Sequence, residues 1–218
     1  MTILALEFSS ERRSVAVLQT GVAGGKPEPA VASILSSPRR LNAFALIQSA
    51  LQQAGLEREA ITCIAVGLGP GSYTGIRAAI SIAQGWELAR GVPVLGLSSV
   101  EGMAIQGQAE GVRGRLSFVI DAQRNEFYLA TYEFGPENFR VVEPLRLVSL
   151  AEATERAKHE LFAGPEADRW FPGARVLYPD AGALARLAVG REDFVSGEKL
   201  EPIYLRETSF VKAPPARS

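Results

Sequence analysis

The chain has 218 residues, 47% of them hydrophobic, enough to fill one large core or two modest ones and too many for a disordered polymer. Its 23 basic and 24 acidic residues leave a formal charge of -1, so no global field draws it to nucleic acid or anionic lipid, and any RNA contact would come from a local patch or a partner. The single cysteine, Cys63, excludes an intrachain disulfide and a thiolate cluster, while the lack of a leader-like start or of any apolar run near the ~20 residues of a membrane span leads us to expect a cytoplasmic protein.

Residues 2–8 and 14–18 are short apolar runs around the polar turn Ser9-Ser10-Glu11-Arg12-Arg13, a spacing that reads as a hairpin, and a third strand is expected over 30–35. Residues 42–54 repeat apolar side chains at Phe44, Ile47, Leu51 and Ala54, the period of a helix with one buried face, and Gly55 suits its end. Residues 61–66 are too short and apolar for a surface element and read as an interior parallel strand that holds Cys63 as an inert thiol.

At the C-terminal end of that strand, where open α/β sheets bind ligands, comes VGLGPGSYTGIR over residues 66–77. It has no Lys before a hydroxyl, as a Walker A loop requires, and not the spacing of a dinucleotide fingerprint. Two readings stay open. Gly69, Gly71, Ser72 and Thr74 can form a nest of amides and hydroxyls around a phosphate or carboxylate, with Glu7 at the end of the first strand. Alternatively the loop is a structural turn in which Thr74 caps a helix beginning near Gly75.

Over residues 75–89 the small side chains Ala78, Ala79, Ser81, Ala83, Gly85 and Ala89 are spread among Ile76, Ile80, Ile82 and Trp86, leaving no clean polar face. That pattern predicts cover on two sides: the sheet beneath and another helix, of this chain or a different one, above. Residues 91–97 read as the next parallel strand. Ser98 or Ser99 can cap a helix reaching Gln106, with Glu101 near its positive end.

The polar, glycine-punctuated stretch 107–114 is the expected boundary between domains 1–108 and 109–218. Strands are expected over 116–121, 126–134 and 140–148, then a helix started by Ser149 with Glu152 as capping-box partner. Both halves thus open with three strands and a helix, as in a duplicated fold. Short strands over 161–164 and 174–178 and a helix over 180–189 capped by Asp180 follow, then an irregular stretch 194–209 and a frayed tail at 214–218.

Glu7 and Asp121 both end strands, where two carboxylates can hold a hydrated metal or act as turn partners. His159, the one histidine, lies in a charged helix end and reads as a surface residue, so no Ser-His-Asp or Cys-His arrangement forms. Arg77 stands in the first turn of a helix, where a cation is disfavoured unless it meets an acid or a partner. Trp86 and Trp170 read as packing anchors.

The opening ILALEFSS over 3–10, the run 67–77, Ala83-Gln84-Gly85, DAQRNEFY over 121–128 and the late Pro202-Ile203-Tyr204-Leu205-Arg206 together resemble the TsaB family, also called YeaZ. These segments run in family order across nearly the whole chain. The resemblance implies an α/β, actin-like and Hsp70-like ATPase (ASKHA) fold made of two ribonuclease-H-like halves. It also implies a non-catalytic scaffold and regulator in bacterial synthesis of N6-threonylcarbamoyladenosine at position 37 of tRNA. Such a subunit binds the transferase TsaD, is joined by the small ATPase TsaE, pairs with itself when TsaD is absent, and reaches tRNA through the complex. No cofactor is expected on the isolated chain, with ATP and magnesium at the partner subunits. Without a histidine pair or a clear base the chain is poor material for acyl transfer, which agrees.

By the same analogy the helices over 42–54 and 75–89 are the expected docking surface, through Phe44, Ile47, Leu51, Ile76, Ala79, Ile80, Ala83 and Trp86. The alternative is a nucleotide-dependent small-molecule kinase or ATPase of this fold, using Gly69 to Thr74 opposite Glu7 or Asp121. Two departures bear on these readings. Glu7 and Phe8 stand where the family has Asp and Thr, and Arg39 and Arg40 bring two positive charges where relatives carry a His-Ser-Glu-like segment.

Overall fold

In the computed structural model the first strand, β1 (Thr2–Glu7), is buried along its whole length, and its side chains alternate between two cores. Leu4 and Leu6 enter one and Ile3 and Ala5 the other, the two-residue period of a strand covered on both faces. The structure describes residues 1–20, 29–30 and 43–205. The expected run of the third strand on to Leu35, the pair Arg39 and Arg40, Arg206 and the tail 214–218 lie outside those residues.

β1 pairs antiparallel with β2 (Ser14–Gln19), which pairs antiparallel with β3 (Pro29–Ala30). On its other side β1 runs parallel to β4 (Cys63–Gly67), itself parallel to β5 (Val94–Leu97), giving the order β3-β2-β1-β4-β5. Helix α1 (Ala43–Ala54) lays Leu46, Ile47, Ala50 and Leu51 on one face of this sheet, and α2 (Tyr73–Arg90) adds Ile76, Ala79, Ile80 and Ala83 to the same core. These are helical i, i+3, i+4 sets. α2 begins two residues before the expected start because Ser72, not Thr74, is its cap: the Ser72 Oγ accepts the Gly75 N–H at 3.3 Å. Thr74 is exposed. At the other end Gly91 takes the left-handed φ of 64°, and its N–H closes on the Glu87 carbonyl at 2.7 Å.

The second sheet repeats the first. β6 (Gly114–Asp121), β7 (Glu126–Phe134) and β8 (Phe139–Ser149) are antiparallel neighbours, and β9 (Phe162–Gly164) and β10 (Arg175–Val176) add parallel strands beyond β6. Read from β8 to β10, the order β8-β7-β6-β9-β10 matches β3-β2-β1-β4-β5 in position and direction. α4 (Leu150–Arg156) follows the third strand as α1 does, with Ser149 Oγ capping the Glu152 N–H at 3.2 Å as the capping pattern predicts. A single 3-10 turn (Ala167–Arg169) stands between β9 and β10, where the first half has α2. The counterpart of the longest helix of the first half is thus a single turn.

The last helix of each half crosses to the other. α3 (Ser99–Ala109) packs Val100, Met103 and Ala104 against β6 and β7, while α5 (Ala181–Ala188) packs Ala181, Leu184, Ala185 and Ala188 on the face of the first sheet opposite α1 and α2. Asp180 caps α5 as expected, its Oδ1 accepting the Ala183 N–H at 3.1 Å. The two helices touch where Gly102 leaves room for Leu184. The expected division at 108/109 falls in the last turn of α3, five residues before β6, and residues 180–203 lie mainly with the first sheet. Among the described residues no helix is long and apolar enough to cross a membrane.

Candidate functional site

The glycine-rich loop meets the end of β1 and the start of α3 at one edge of the first sheet. Glu7 is fully buried there. Its Oε1 accepts the Ser9 N–H at 2.8 Å, and its Oε2 accepts the Ser99 hydroxyl at 2.7 Å. The Ser99 Oγ in turn accepts the Gly69 N–H at 3.1 Å, so a three-part relay links carboxylate, hydroxyl and loop amide. Burial raises the Glu7 pKa above its ordinary value; the bonds from Ser9 and Ser99 work against that shift, and Asp180 adds to it. Ser99, one of two expected helix caps, thus serves the carboxylate instead.

The loop glycines are there for the chain's own atoms. A Cβ on Gly67 would lie 2.2 Å from Glu7 Oε2, one on Gly71 2.1 Å from the Ser9 carbonyl oxygen, and one on Gly75 2.0 Å from that of Phe8. The Ser72 N–H donates to Ser9 O at 2.6 Å, and the amides of Gly75 and Ile76 go to Ser72. With the Gly69 amide on Ser99, four of the loop amides, those of Gly69, Ser72, Gly75 and Ile76, have acceptors within the chain. The cap expected at Thr74 is Ser72. The Ser9 hydroxyl, buried beside Gly71, has no hydrogen-bond partner among the described residues.

The late segment joins the same edge. Ile203 N–H donates to Leu68 O at 2.8 Å, and the rings of Tyr204 and Tyr73 lie 5.3 Å apart. Arg77 stacks over Tyr73 at 5.1 Å and donates to its hydroxyl at 2.7 Å, so the cation in the first turn of α2 is met by an aromatic ring. Motifs separated by more than a hundred positions therefore converge on one corner.

Asp121 does not join them: its Oδ1 accepts the N–H of Gln123 at 2.6 Å in its own hairpin turn, where Gln123, Arg124 and Asn125 have φ of 65°, 60° and 60°. His159 is exposed just beyond α4. Cys63 is buried, and burial pushes its thiol up to about 11, which keeps it from acting as a thiolate. Among the described residues no three His, Cys, Asp or Glu side chains stand together as metal ligands.

The expected docking residues need correction. Ile47, Leu51, Ile76, Ala79, Ile80 and Ala83 are buried against the chain's own sheet, and Trp86 packs against the same core. The small residues of α2 divide between an inner set that fits the sheet and an outer set that faces solvent. Exposed on the outside are Tyr73, Arg77, Ser81, Gly85 and Leu88, the last at 90%, together with Phe44 on α1.

A family model described as TsaD, tRNA N6-adenosine threonylcarbamoyltransferase, matches residues 31–199. The chain is 27% identical to the tRNA threonylcarbamoyladenosine biosynthesis protein TsaB of Escherichia coli over the full length of both, and 28% identical to that of Haemophilus influenzae over 98% of each. The solved structure of YeaZ from Pseudomonas aeruginosa superposes with a TM-score of 0.74 at 28% identity, covering 94% of this chain and 99% of that one. The chain belongs to the TsaB (YeaZ) family. The actin-like fold of two ribonuclease-H-like halves expected of that family is the one described above, and the converging segments 3–10, 67–77 and 202–205 are among those that carried the resemblance. Sequence reasoning found this corner but missed the role of Ser99, because a hydroxyl that bridges two loops looks in sequence like any helix cap.

Proposed function

We propose that this chain serves the synthesis of N6-threonylcarbamoyladenosine in tRNA as a non-catalytic subunit that binds and activates a TsaD-like threonylcarbamoyltransferase. The observation that supports this reading is the inward-bonded loop: Ser9, Ser72 and Ser99 accept the amides of Ser72, Gly75, Ile76 and Gly69, and the Glu7 carboxylate is buried behind them. A rigid corner of this kind holds the start of α2 in place and leaves the chemistry to another protein. Nucleotide and magnesium then belong to the partners, a TsaE-like ATPase joins the pair, and tRNA is reached through the complex.

In this reading the partner covers the outer sides of α1 and α2, where Phe44, Ser81, Gly85 and Leu88 give a surface of small and apolar side chains. The same side supports pairing of two copies when the transferase is absent. Co-expression with the TsaD homologue of the same genome should give one co-eluting species, with tRNA modification that needs both chains. Separate migration at about micromolar concentration, with ATP and the TsaE homologue present, would count against it. Calorimetry with ATP and magnesium should show no binding by the isolated chain up to about millimolar. Saturable binding with turnover would replace the scaffold by an enzyme.

A further inference from the structure

Tyr73 and Tyr204 stay 54% and 41% exposed although their rings lie 5.3 Å apart, and Arg77 lies over the Tyr73 ring at 5.1 Å. Two exposed rings brought together from opposite ends of the chain form a continuous patch, not scattered exposure. We propose that this corner anchors the transferase-like partner, with Arg77 receiving a carboxylate of that protein beside the two tyrosine rings, an inference that rests on the docking of such a partner over the outer sides of α1 and α2.

The corner is one end of that docking side. Tyr73, Arg77, Ser81, Gly85 and Leu88 follow one another at i+4 or i+3 and are all exposed, so they form one line along the outside of α2. Ser81 and Gly85 have little side chain to offer. Binding energy at protein interfaces concentrates on aromatic and arginine side chains, and the corner sets two tyrosines and an arginine side by side. They are already ordered: Arg77 donates to the Tyr73 hydroxyl at 2.7 Å, and Ile203 N–H, next to Tyr204, donates to Leu68 O at 2.8 Å. Less rotamer freedom is then lost on association.

Arg77 sets the chemistry of the partner. It has no ion-pair partner among the described residues, whereas the other charges of α2 are engaged: Glu87 accepts the Gly197 N–H at 2.8 Å, and Arg90 pairs with Glu59 at 3.3 Å. Burial above all pushes the Tyr204 phenol up to about 12, so it stays neutral and leaves the guanidinium uncompensated. A ring orients a guanidinium without neutralising it, and the donors that Tyr73 does not use can reach a carboxylate. A single cation on a chain of formal charge -1 is too little for the phosphate run of an RNA, so an acidic side chain of a protein fits better.

Calorimetric titration of the full chain with the TsaD homologue of the same genome tests this. Tyr204→Ala and Arg77→Gln should each weaken the complex about tenfold or more, and Arg77→Glu should remove it. Arg77→Lys, a point cation without the planar fork, should fall between the parent chain and Arg77→Gln. Tyr204→Phe keeps the ring and should bind as the parent does. Raising salt from about 50 to 300 mM should weaken the parent complex more than that of Arg77→Gln, a difference that a merely structural role would not produce. Both positions are exposed, and thermal melting should find these variants folded. Parent-like binding by Tyr204→Ala and Arg77→Glu, with loss of binding by Leu88→Glu, would overturn the anchor and leave the docking side in place. No complex with the parent chain would overturn both. Arg77-dependent binding of a short RNA hairpin, with the transferase complex unchanged by Arg77→Glu, would also overturn the proposal.

Discussion

Gly67 and Glu7 are chemically unlike, but they form a single unit. The carboxylate can be buried only because position 67 has no side chain, with 2.2 Å between Oε2 and the place a Cβ would take. Gly67→Ala should therefore cost about 1–3 kcal/mol in urea unfolding, as overpacking does elsewhere. Combined with Glu7→Ala the loss should be smaller than the sum of the two single changes, because the clash has gone; strict additivity would mean the contact is relieved some other way. The raised pKa of Glu7 gives a pH effect whose sign follows from burial. As pH falls the folded chain takes up the proton before the unfolded chain does, so the protonated form is the more stable. This contribution is fully present below the unfolded value of about 4.3 and is lost as pH rises through the folded value. The stability of the parent chain relative to Glu7→Gln should thus improve on acidification through that window and level off below it. A difference that stays flat with pH would contradict the assignment. In sequence, Glu7 at a strand end was visible as special, but whether it faced a ligand or its own loop depended on Ser99, more than ninety positions away.

At the scale of elements, α2 separates what periodicity can and cannot say. Its small residues predict cover on two sides, and Ile76, Ala79, Ile80 and Ala83, expected at a docking surface, lie on the helix face that the sheet itself buries. The error has a physical cause: Ala79 and Ala83 suit close packing against a strand pair as well as they suit a second helix, and composition does not distinguish the two. Ala79→Trp should accordingly damage the isolated chain, by about 1–3 kcal/mol or more, rather than act only on assembly. Leu88→Glu, at a side chain 90% exposed, should leave the isolated chain within about 0.5 kcal/mol and remove co-elution with the transferase homologue. Size-exclusion chromatography of the two variants separates these outcomes, and normal assembly by Leu88→Glu would move the interface away from the outer side of α2. The strands were more legible. β1, β2, β4 to β9 and helices α1, α4 and α5 stand within a few residues of their expected positions, because alternation, caps such as Asp180 and Ser149, and the stop at Gly55 are local signals.

For the whole molecule, the crossing of α3 and α5 ties the two halves together. Leu184 and the alanines of α5 cover Ile3, Ala5, Cys63 and Ala65 on the far face of the first sheet. A chain cut after residue 113 would expose that face, with Leu95 and Leu97, to water. Such a fragment should bind a hydrophobic dye and lack a cooperative thermal transition, and adding the remainder in trans should restore part of the signal. A sharp, dye-free transition of the fragment alone would show that the first sheet needs no cover from α5.

The boundary expected near residue 108 thus lies where the chain passes from one sheet to the next, while the contacts that stabilise each sheet come partly from the other half. The duplication was readable because strand-strand-strand-helix recurs as a local pattern, and the family was readable because its glycine loop and flanking segments are distinctive in order and residue type. Local pattern determines which segments are strands, where helices start and stop, and that a tight turn follows β4. Only the assembled chain decides that the turn closes on Glu7, that α5 covers the first sheet and that the inner side of α2 is core. Each of these depends on contacts between residues far apart in sequence, and the same hydroxyl, carboxylate or alanine fits either outcome until its distant neighbour is in place.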